Sequence, residues 1–169
     1  HVSYYKEKSP EELALINYTS GTTGFSKGVM IPYRALWGNL DYVLEELGKH
    51  VKSGSNIVSI LPMAHMYGLM VEFLYGFVNG NHLFFLTRLP SPSLIAEAFA
   101  EVKPSLIVAV PMIIEKIVRK KVFPIMQTNR MRLLLSMPVV GKRIKAKVCE
   151  MVYEVFGGKA YEVITGGAA

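Results

Sequence analysis

The chain has a single cysteine, Cys149. No internal disulfide can form, so a disulfide-built secreted scaffold is excluded, as is a zinc site of four cysteines. A reducing cytosol fits that usage. Long apolar runs are also lacking. The most apolar helical stretch, Met66–Val78, is too short to cross a bilayer and carries Glu72 at its centre, so it is read as a buried core helix. No internal repeat or low-complexity tract interrupts the 169 residues. Acid is scarce in one place: between Glu115 and Lys147 lie Lys116, Arg119, Lys120, Lys121, Arg130, Arg132, Lys142, Arg143, Lys145 and Lys147, with no second carboxylate. Such a block can meet nucleic acid or anionic lipid. It can equally be the solvated face of helices or a surface that meets a further acidic part. It holds no recognisable nucleic-acid motif, and the solvated reading is preferred.

What is present is the make-up of one globular domain. Hydrophobic residues are 51% and charged residues 19% of the chain, with a formal net charge of +6. That argues against intrinsic disorder, and the chain is long enough to bury a core without staples. The chain opens on His1 and closes on Gly166-Gly167-Ala168-Ala169, which reads as a piece cut from a longer protein.

Apolar spacing predicts a strand at 13–18, a loop of Gly, Ser and Thr at 19–28, and a returning strand at 29–31 stopped by Pro32. Leu36, Leu40, Val43, Leu44 and Leu47 fall three and four apart, one face of a helix over 33–49. Strands are predicted at 56–61, 82–86, 106–110 and 161–164, and helices at 66–78, 92–102, 111–121 and 139–156 with a basic helical region between the last two. Strands alternating with helices mean βαβ units. The fold class is α/β, a mainly parallel sheet with helices on both faces, preceded by a strand–phosphate loop–strand hairpin. Residues 1–32 form the segment with the hairpin, and 33–169 an α/β subdomain truncated at its C-terminal end. Ligands of such sheets sit at the carboxyl ends of the strands.

The sharpest signal is Tyr18-Thr19-Ser20-Gly21-Thr22-Thr23-Gly24-Phe25-Ser26-Lys27-Gly28. Its glycines permit tight turns, its hydroxyls donate to anionic oxygens and Lys27 adds a mobile positive charge. Together with backbone N–H groups these make a phosphate cradle. It is not a Walker A loop, because Gly28 follows Lys27 and no helix opens there.

This loop resembles the signature phosphate loop of the adenylate-forming (AMP-binding) enzymes, which include acyl-CoA synthetases, luciferases and peptide-synthetase adenylation domains. Ser26 stands where that family most often has proline. Leu61-Pro62-Met63-Ala64-His65-Met66-Tyr67-Gly68 is similar to the family's Leu-Pro-φ-x-His segment beside the acyl pocket. Val110-Pro111-Met112-Ile113-Ile114-Glu115-Lys116 resembles a stretch of long-chain acyl-CoA synthetases, although Pro111 is also plain helix initiation. Thr165-Gly166-Gly167-Ala168-Ala169 looks like the family's turn beside adenine and the acyl carboxylate.

The resemblance implies the central part of the N-terminal domain of a long-chain-fatty-acid–CoA ligase, an ATP-dependent acid–thiol ligase. Such an enzyme converts a fatty acid and ATP to acyl-adenylate and then transfers the acyl group to CoA. It implies phosphate contact for Thr19, Ser20, Gly21, Thr22, Thr23, Gly24 and Lys27, and a nucleotide border of Gly166, Gly167 and Ala168. His65 would orient the acyl carboxylate or line its entry. ATP, Mg²⁺ and CoA are implied for the whole enzyme. The Mg²⁺-holding glutamate, the ribose-binding aspartate and the mobile C-terminal domain with its catalytic lysine belong to the missing remainder of the chain. The isolated piece is therefore expected to be inactive. A cytoplasmic setting is expected, with peripheral membrane contact left open and no nucleic-acid partner. The rivals are another adenylate-former acting on an aryl, amino or medium-chain acid, a non-catalytic nucleotide binder, and a basic nucleic-acid or membrane-surface module.

Other residues carry plainer expectations. His50 and His82 lack a second ligand at metal spacing. Cys149 is read as an inert core thiol, and the nine methionines as core fillers. Trp37, one residue off its helix's apolar line, packs or stays exposed.

Overall fold

A computed structural model describes residues 7–20, 25–128 and 137–166. Two sheets organise them. Strands β1 (Leu13–Ser20) and β2 (Ser26–Pro32) form an antiparallel hairpin. Strands β3 (Asn56–Ser59), β4 (His82–Phe85), β5 (Leu106–Ala109) and β6 (Glu162–Thr165) form a parallel sheet in the order β4-β3-β5-β6.

The helices follow from local sequence. α1 (Tyr33–Leu47) starts directly after Pro32 and lays Leu36, Leu40, Val43, Leu44 and Leu47 on the sheet, the stripe its spacing predicts. A π-helical segment, Gly68–Leu74, runs into the short α2 (Tyr75–Val78). α3 (Pro92–Val102) has Pro92 in its first turn, and Ser91 Oγ accepts from the Leu94 N–H at 3.3 Å. That is N-capping by a residue type suited to it. α4 (Pro111–Lys121) again opens on proline. A single turn, α5 (Phe123–Met126), and the long α6 (Pro138–Val155) complete the set among the described residues.

Side chains of β3 and β5 alternate between two cores, as a strand's period of two requires. Val58, Ile60, Ile107 and Ala109 meet Ile95, Ala96 and Phe99 of α3, Ile117 of α4 and Phe156 after α6. Ile57, Leu106 and Val108 face the other way, against Leu40, Val51, Met70, Val71 and Tyr75. Helices therefore cover both faces. Parallel pairing puts all four strand ends on one edge of the sheet.

Several expectations are corrected here. The loop predicted at 19–28 is shorter, because the hairpin ladder continues through Thr19↔Lys27 and Ser20↔Ser26. The predicted strand at 56–61 leaves the ladder after Ser59, since Ile60 and Leu61 give their N–H groups to Glu72 instead. The helix expected over 66–78 does start at Met66, but it is π-wound from Gly68 to Leu74. Cys149 is exposed, not in the core. Val152 and Val155 are the residues that α6 turns to the sheet, and Cys149 lies off that stripe. Of the methionines Met70 is buried, whereas Met30, Met63, Met112 and Met137 are exposed, so core filling does not describe them as a group. Trp37 is exposed. His50 stacks on Tyr161 with ring centroids 4.4 Å apart, and His82 Nδ1 lies 3.3 Å from Asn56 Oδ1. In the basic stretch Arg119 pairs with Glu115 at 2.7 Å and lies over the Phe123 ring, and Lys120 donates to Ser93. Residues 129–136, with Arg130 and Arg132, fall outside the described residues. No helix is long and apolar enough to cross a membrane.

Phe99 is fully buried, 6.0 Å from the Phe156 ring. Phe99→Ala removes that packing and leaves a cavity. The expected loss of stability is about 3–5 kcal/mol, read from denaturant midpoints of the protein carrying this chain.

Candidate functional site

The parallel sheet delivers two turns to its carboxyl edge. One follows β3 and carries Pro62 to Tyr67. The other follows β6 at Gly166. They touch: a Cβ placed on Gly166 would lie 3.1 Å from the Tyr67 ring, and the Gly166 N–H reaches the Ala109 carbonyl at 3.4 Å. Glycine is thus what lets the end of β6 approach Tyr67 so closely.

The turn after β3 is tied at several points. The His65 N–H donates to the Pro62 carbonyl at 2.9 Å, and the Leu69 N–H donates to the His65 carbonyl at 3.0 Å. The Tyr67 N–H donates to His65 Nδ1 at 3.3 Å. An imidazole that accepts at Nδ1 carries its neutral-state proton on Nε2, which leaves an N–H available for an incoming acceptor. His65 itself is exposed. At Gly68 a Cβ would sit 2.7 Å from the Pro62 carbonyl oxygen, so the π segment starts hard against the turn it follows.

The hairpin arrives from the other side. Asn17 Nδ2 donates to the Ala64 carbonyl at 3.0 Å, across 47 residues of sequence. Asn17, Tyr18 and Thr19 thereby form one wall of a cleft of about 480 Å³, and Pro62, Ala64, His65 and Met66 form the other. Lys27 is cross-strand from Thr19 and exposed. Beside Tyr67 a second groove, also about 480 Å³, is lined by Val43, Leu47, Val71 and Ile164 together with Glu46, His50 and Glu162. The larger groove between β4 and α3, about 510 Å³, holds none of the residues the sequence singles out.

The structure therefore brings Thr19 and His65 to one cleft, with Lys27 on the same hairpin end and Gly166 joined through Tyr67. Gly21, Thr22, Thr23, Gly24, Gly167 and Ala168 lie outside the described residues, as does the side chain of Ser20. Among the described residues no group of three His, Cys, Asp or Glu side chains could hold a metal ion.

Sequence reasoning passed over three participants, Asn17, Tyr67 and Glu72. Glu72 is fully buried. Its carboxylate accepts from Ser59 Oγ at 2.9 Å, from the Ile60 N–H at 3.1 Å and from the Leu61 N–H at 3.1 Å. Burial pushes its pKa from 4.5 up to about 7, against the opposing pull of the bonds from Ile60, Ser59 and Leu61. Burial and the nearby Glu72 charge raise the Tyr67 phenol, and burial takes Tyr75 up to about 12. The signal for Glu72 was present in the sequence: an acid amid an apolar run must find donors when buried.

Known proteins resemble this chain in sequence and in fold. The family model described as AMP-binding enzyme matches residues 3–167. A long-chain-fatty-acid–CoA ligase of Escherichia coli O157:H7 is 33% identical over 93 residues, 54% of this chain and 17% of that protein. A 4-chlorobenzoate–CoA ligase of an Arthrobacter species is 34% identical over 70 residues, 41% of this chain and 13% of that protein. Among solved structures, ATP-bound MatB from Rhodopseudomonas palustris superposes with a TM-score of 0.61 at 22% identity, over 95% of this chain and 25% of its own. At that identity the likeness concerns the fold. The chain spans a quarter or less of the length of each of these proteins.

The raised Glu72 pKa links stability to pH with a definite sign. A carboxyl whose folded pKa exceeds its unfolded value stabilises the fold fully below the unfolded value, and that contribution is lost as pH rises through the folded one. The window runs from pH 4.5 to about pH 7. Glu72→Gln cannot titrate. Thermal melts across that window should show the parent losing stability with rising pH relative to Glu72→Gln. Parallel curves would contradict the assignment.

Proposed function

Because the chain belongs to the AMP-binding enzyme family, we propose that it supplies the phosphate-binding hairpin and the acid-facing turn of an ATP-dependent acid–CoA ligase. The acid is proposed to be a long-chain fatty acid. The observation that carries this reading is the Asn17–Ala64 bond, which stands the Thr19 end of the hairpin beside His65.

The chemistry explains why the two must be neighbours. A carboxylate attacks the α-phosphorus of ATP, forming acyl-adenylate and releasing pyrophosphate; the CoA thiol then displaces AMP. In the first step an anion approaches a polyanion. Catalysis needs donors and positive charge on the phosphates, and it needs the acid held in line. Thr19, Ser20, Gly21, Thr22, Thr23, Gly24 and Lys27 are assigned to the phosphates. His65 is assigned to the acid, donating from Nε2 to one carboxylate oxygen so that the other points to phosphorus. Gly166, Gly167 and Ala168 are assigned to the nucleotide border. No step is assigned here to Mg²⁺, for which the described residues provide no cluster.

Two features support a fatty acid over an aryl acid. One is the Val110–Lys116 stretch and its resemblance to long-chain enzymes. The other is the groove beside Tyr67, whose walls of Val43, Leu47, Val71 and Ile164 suit an alkyl chain. The 4-chlorobenzoate–CoA ligase relative keeps an aryl acid as the second reading. The division into 1–32 and 33–169 is retained as a functional one, a phosphate hairpin and an acid-facing α/β part.

The test is acid-dependent release of pyrophosphate by the protein carrying this chain. Fatty acids of graded length are compared with 4-chlorobenzoate. Turnover that rises with chain length supports the proposal, and preference for the aryl acid overturns the substrate class. Lys27→Ala removes a charge-assisted phosphate contact, and a loss of about ten- to a hundredfold in kcat/KM for ATP is expected. An unchanged value would free Lys27 of that role.

A further inference from the structure

Glu72 has no part in the reaction just proposed. Yet among the described residues it is the charged side chain that the fold buries, and it is buried at one particular place. β3 leaves the sheet after Ser59, and the next two backbone N–H groups turn to the Glu72 carboxylate. Ser59 Oγ donates to the same group. Three donors converge on one carboxylate at the point where the strand becomes the His65 turn.

The same residue also governs the other end of that turn. Glu72 stands on the π segment, which begins at Gly68 immediately after Tyr67 and packs against the Pro62 carbonyl. Its side chain thus joins the residues before the turn to the helix after it. The segment between, Pro62 to Tyr67, is closed into a loop whose two stems are bonded together. The wider winding of a π segment is a common accompaniment of functional sites. An apolar side chain in this place would leave two N–H groups and a hydroxyl without partners, each at a cost of about 1–3 kcal/mol. No lysine, arginine or histidine is bonded to the carboxylate among the described residues; its partners are a hydroxyl and backbone, and Tyr67 is the titratable side chain that senses its charge.

We propose that Glu72 is a positioning residue for acid activation: by clamping Ser59, Ile60 and Leu61 to the π segment, it fixes where His65 stands relative to Thr19 on the hairpin. The inference rests on the function proposed above for its catalytic consequence, but its structural content stands alone. The clamp holds the acid side of the cleft, whereas the hairpin holds the phosphate side. Loosening it should disturb the alignment of the acid more than the affinity for ATP.

The test uses Glu72→Leu, Glu72→Gln and Ser59→Ala in the protein carrying this chain. Two quantities are read: amide hydrogen exchange over 59–67, and acid-dependent ATP–pyrophosphate exchange at a temperature well below every melting point. Glu72→Leu should speed exchange over 59–67. It should lower kcat by about ten- to a hundredfold, the scale of a misplacement near 1 Å, with KM for ATP little changed. Glu72→Gln should restore both, because its amide oxygen can accept from Ile60 and Leu61 while its N–H₂ donates to Ser59.

Parental protection over 59–67 in Glu72→Leu overturns the proposal, and so does a loosened turn with parental kcat. Should Glu72→Leu fail to fold, the double variant Ser59→Ala with Glu72→Gln decides. It strands the amide N–H₂, so its kcat should fall below that of Glu72→Gln alone, and equal values overturn the proposal. A parent that makes adenylate from no acid removes the functional reading only, and protection over 59–67 then decides the role of Glu72.

Discussion

Everything in this chain is arranged around two short parallel strands that are covered on both faces. β3 and β5 carry Ile57, Val58, Leu106, Ile107, Val108 and Ala109, all buried. Strands covered on both faces cannot alternate apolar with polar, and they demand helices above and below. The chain supplies α3, α4 and α6 to one face, and α1, the π segment and α2 to the other. Parallel pairing has a second effect. Every strand ends on the same edge, so the turns after β3 and β6 become neighbours although a hundred-odd residues separate them in sequence. The candidate site is thus a by-product of burial. Gly166 meets Tyr67 because Ile107 and Val108 had to be enclosed.

A strand that stops creates a debt of backbone groups. After Ser59 the N–H groups of Ile60 and Leu61 have no strand to bond and are shielded from water. Unpaired groups of that kind are rare in folded proteins. Glu72 answers with a carboxylate, which can take several donors at once, and burial raises its pKa as the consequence. Among the described residues no buried side-chain polar atom is left without a partner. The arrangement is local in energy but not in effect, since the turn it steadies is the one that presents His65.

The legible parts of the sequence were those governed by a single repeating rule. The Leu36–Leu47 stripe, the start of α3 at Pro92 and the Pro111 start of α4 were each read from the sequence, and the structure has them in those places. The loop was singled out for another reason: glycine, hydroxyl and lysine together make a composition suited to anions, and the phosphate contact proposed for it rests on that composition. What escaped depends on contacts between distant segments. The end of β3 is set by an acid 13 residues away from Ser59, which no window centred on the strand contains. Cys149 lies beside the apolar stripe of α6, and one helical step separates core from solvent. Asn17 looks like any strand residue until the turn at Ala64 is placed against it.

The hairpin and the sheet stand in a particular mechanical relation. A two-stranded ribbon is marginal alone, and β1–β2 keeps Ile16, Tyr18, Val29 and Met30 exposed. It is held at its base, where the Tyr33 N–H donates to the Glu12 carbonyl at 3.0 Å and Arg34 pairs with Glu11 at 2.9 Å, and near its far end by the Asn17–Ala64 bond. The sheet, by contrast, is enclosed by two cores. Segments that must change shape around a ligand are drawn from the less stable end of a fold, and those that fix geometry from the more stable end. The division proposed for this chain follows that rule. Thr19 and Lys27, proposed to contact phosphate, ride on the lightly anchored ribbon. His65, proposed to face the acid, is set at the sheet edge, in the turn whose first residues Glu72 holds. The Asn17–Ala64 hydrogen bond joins the two, and a bond of that kind contributes only about 0.5–1.5 kcal/mol.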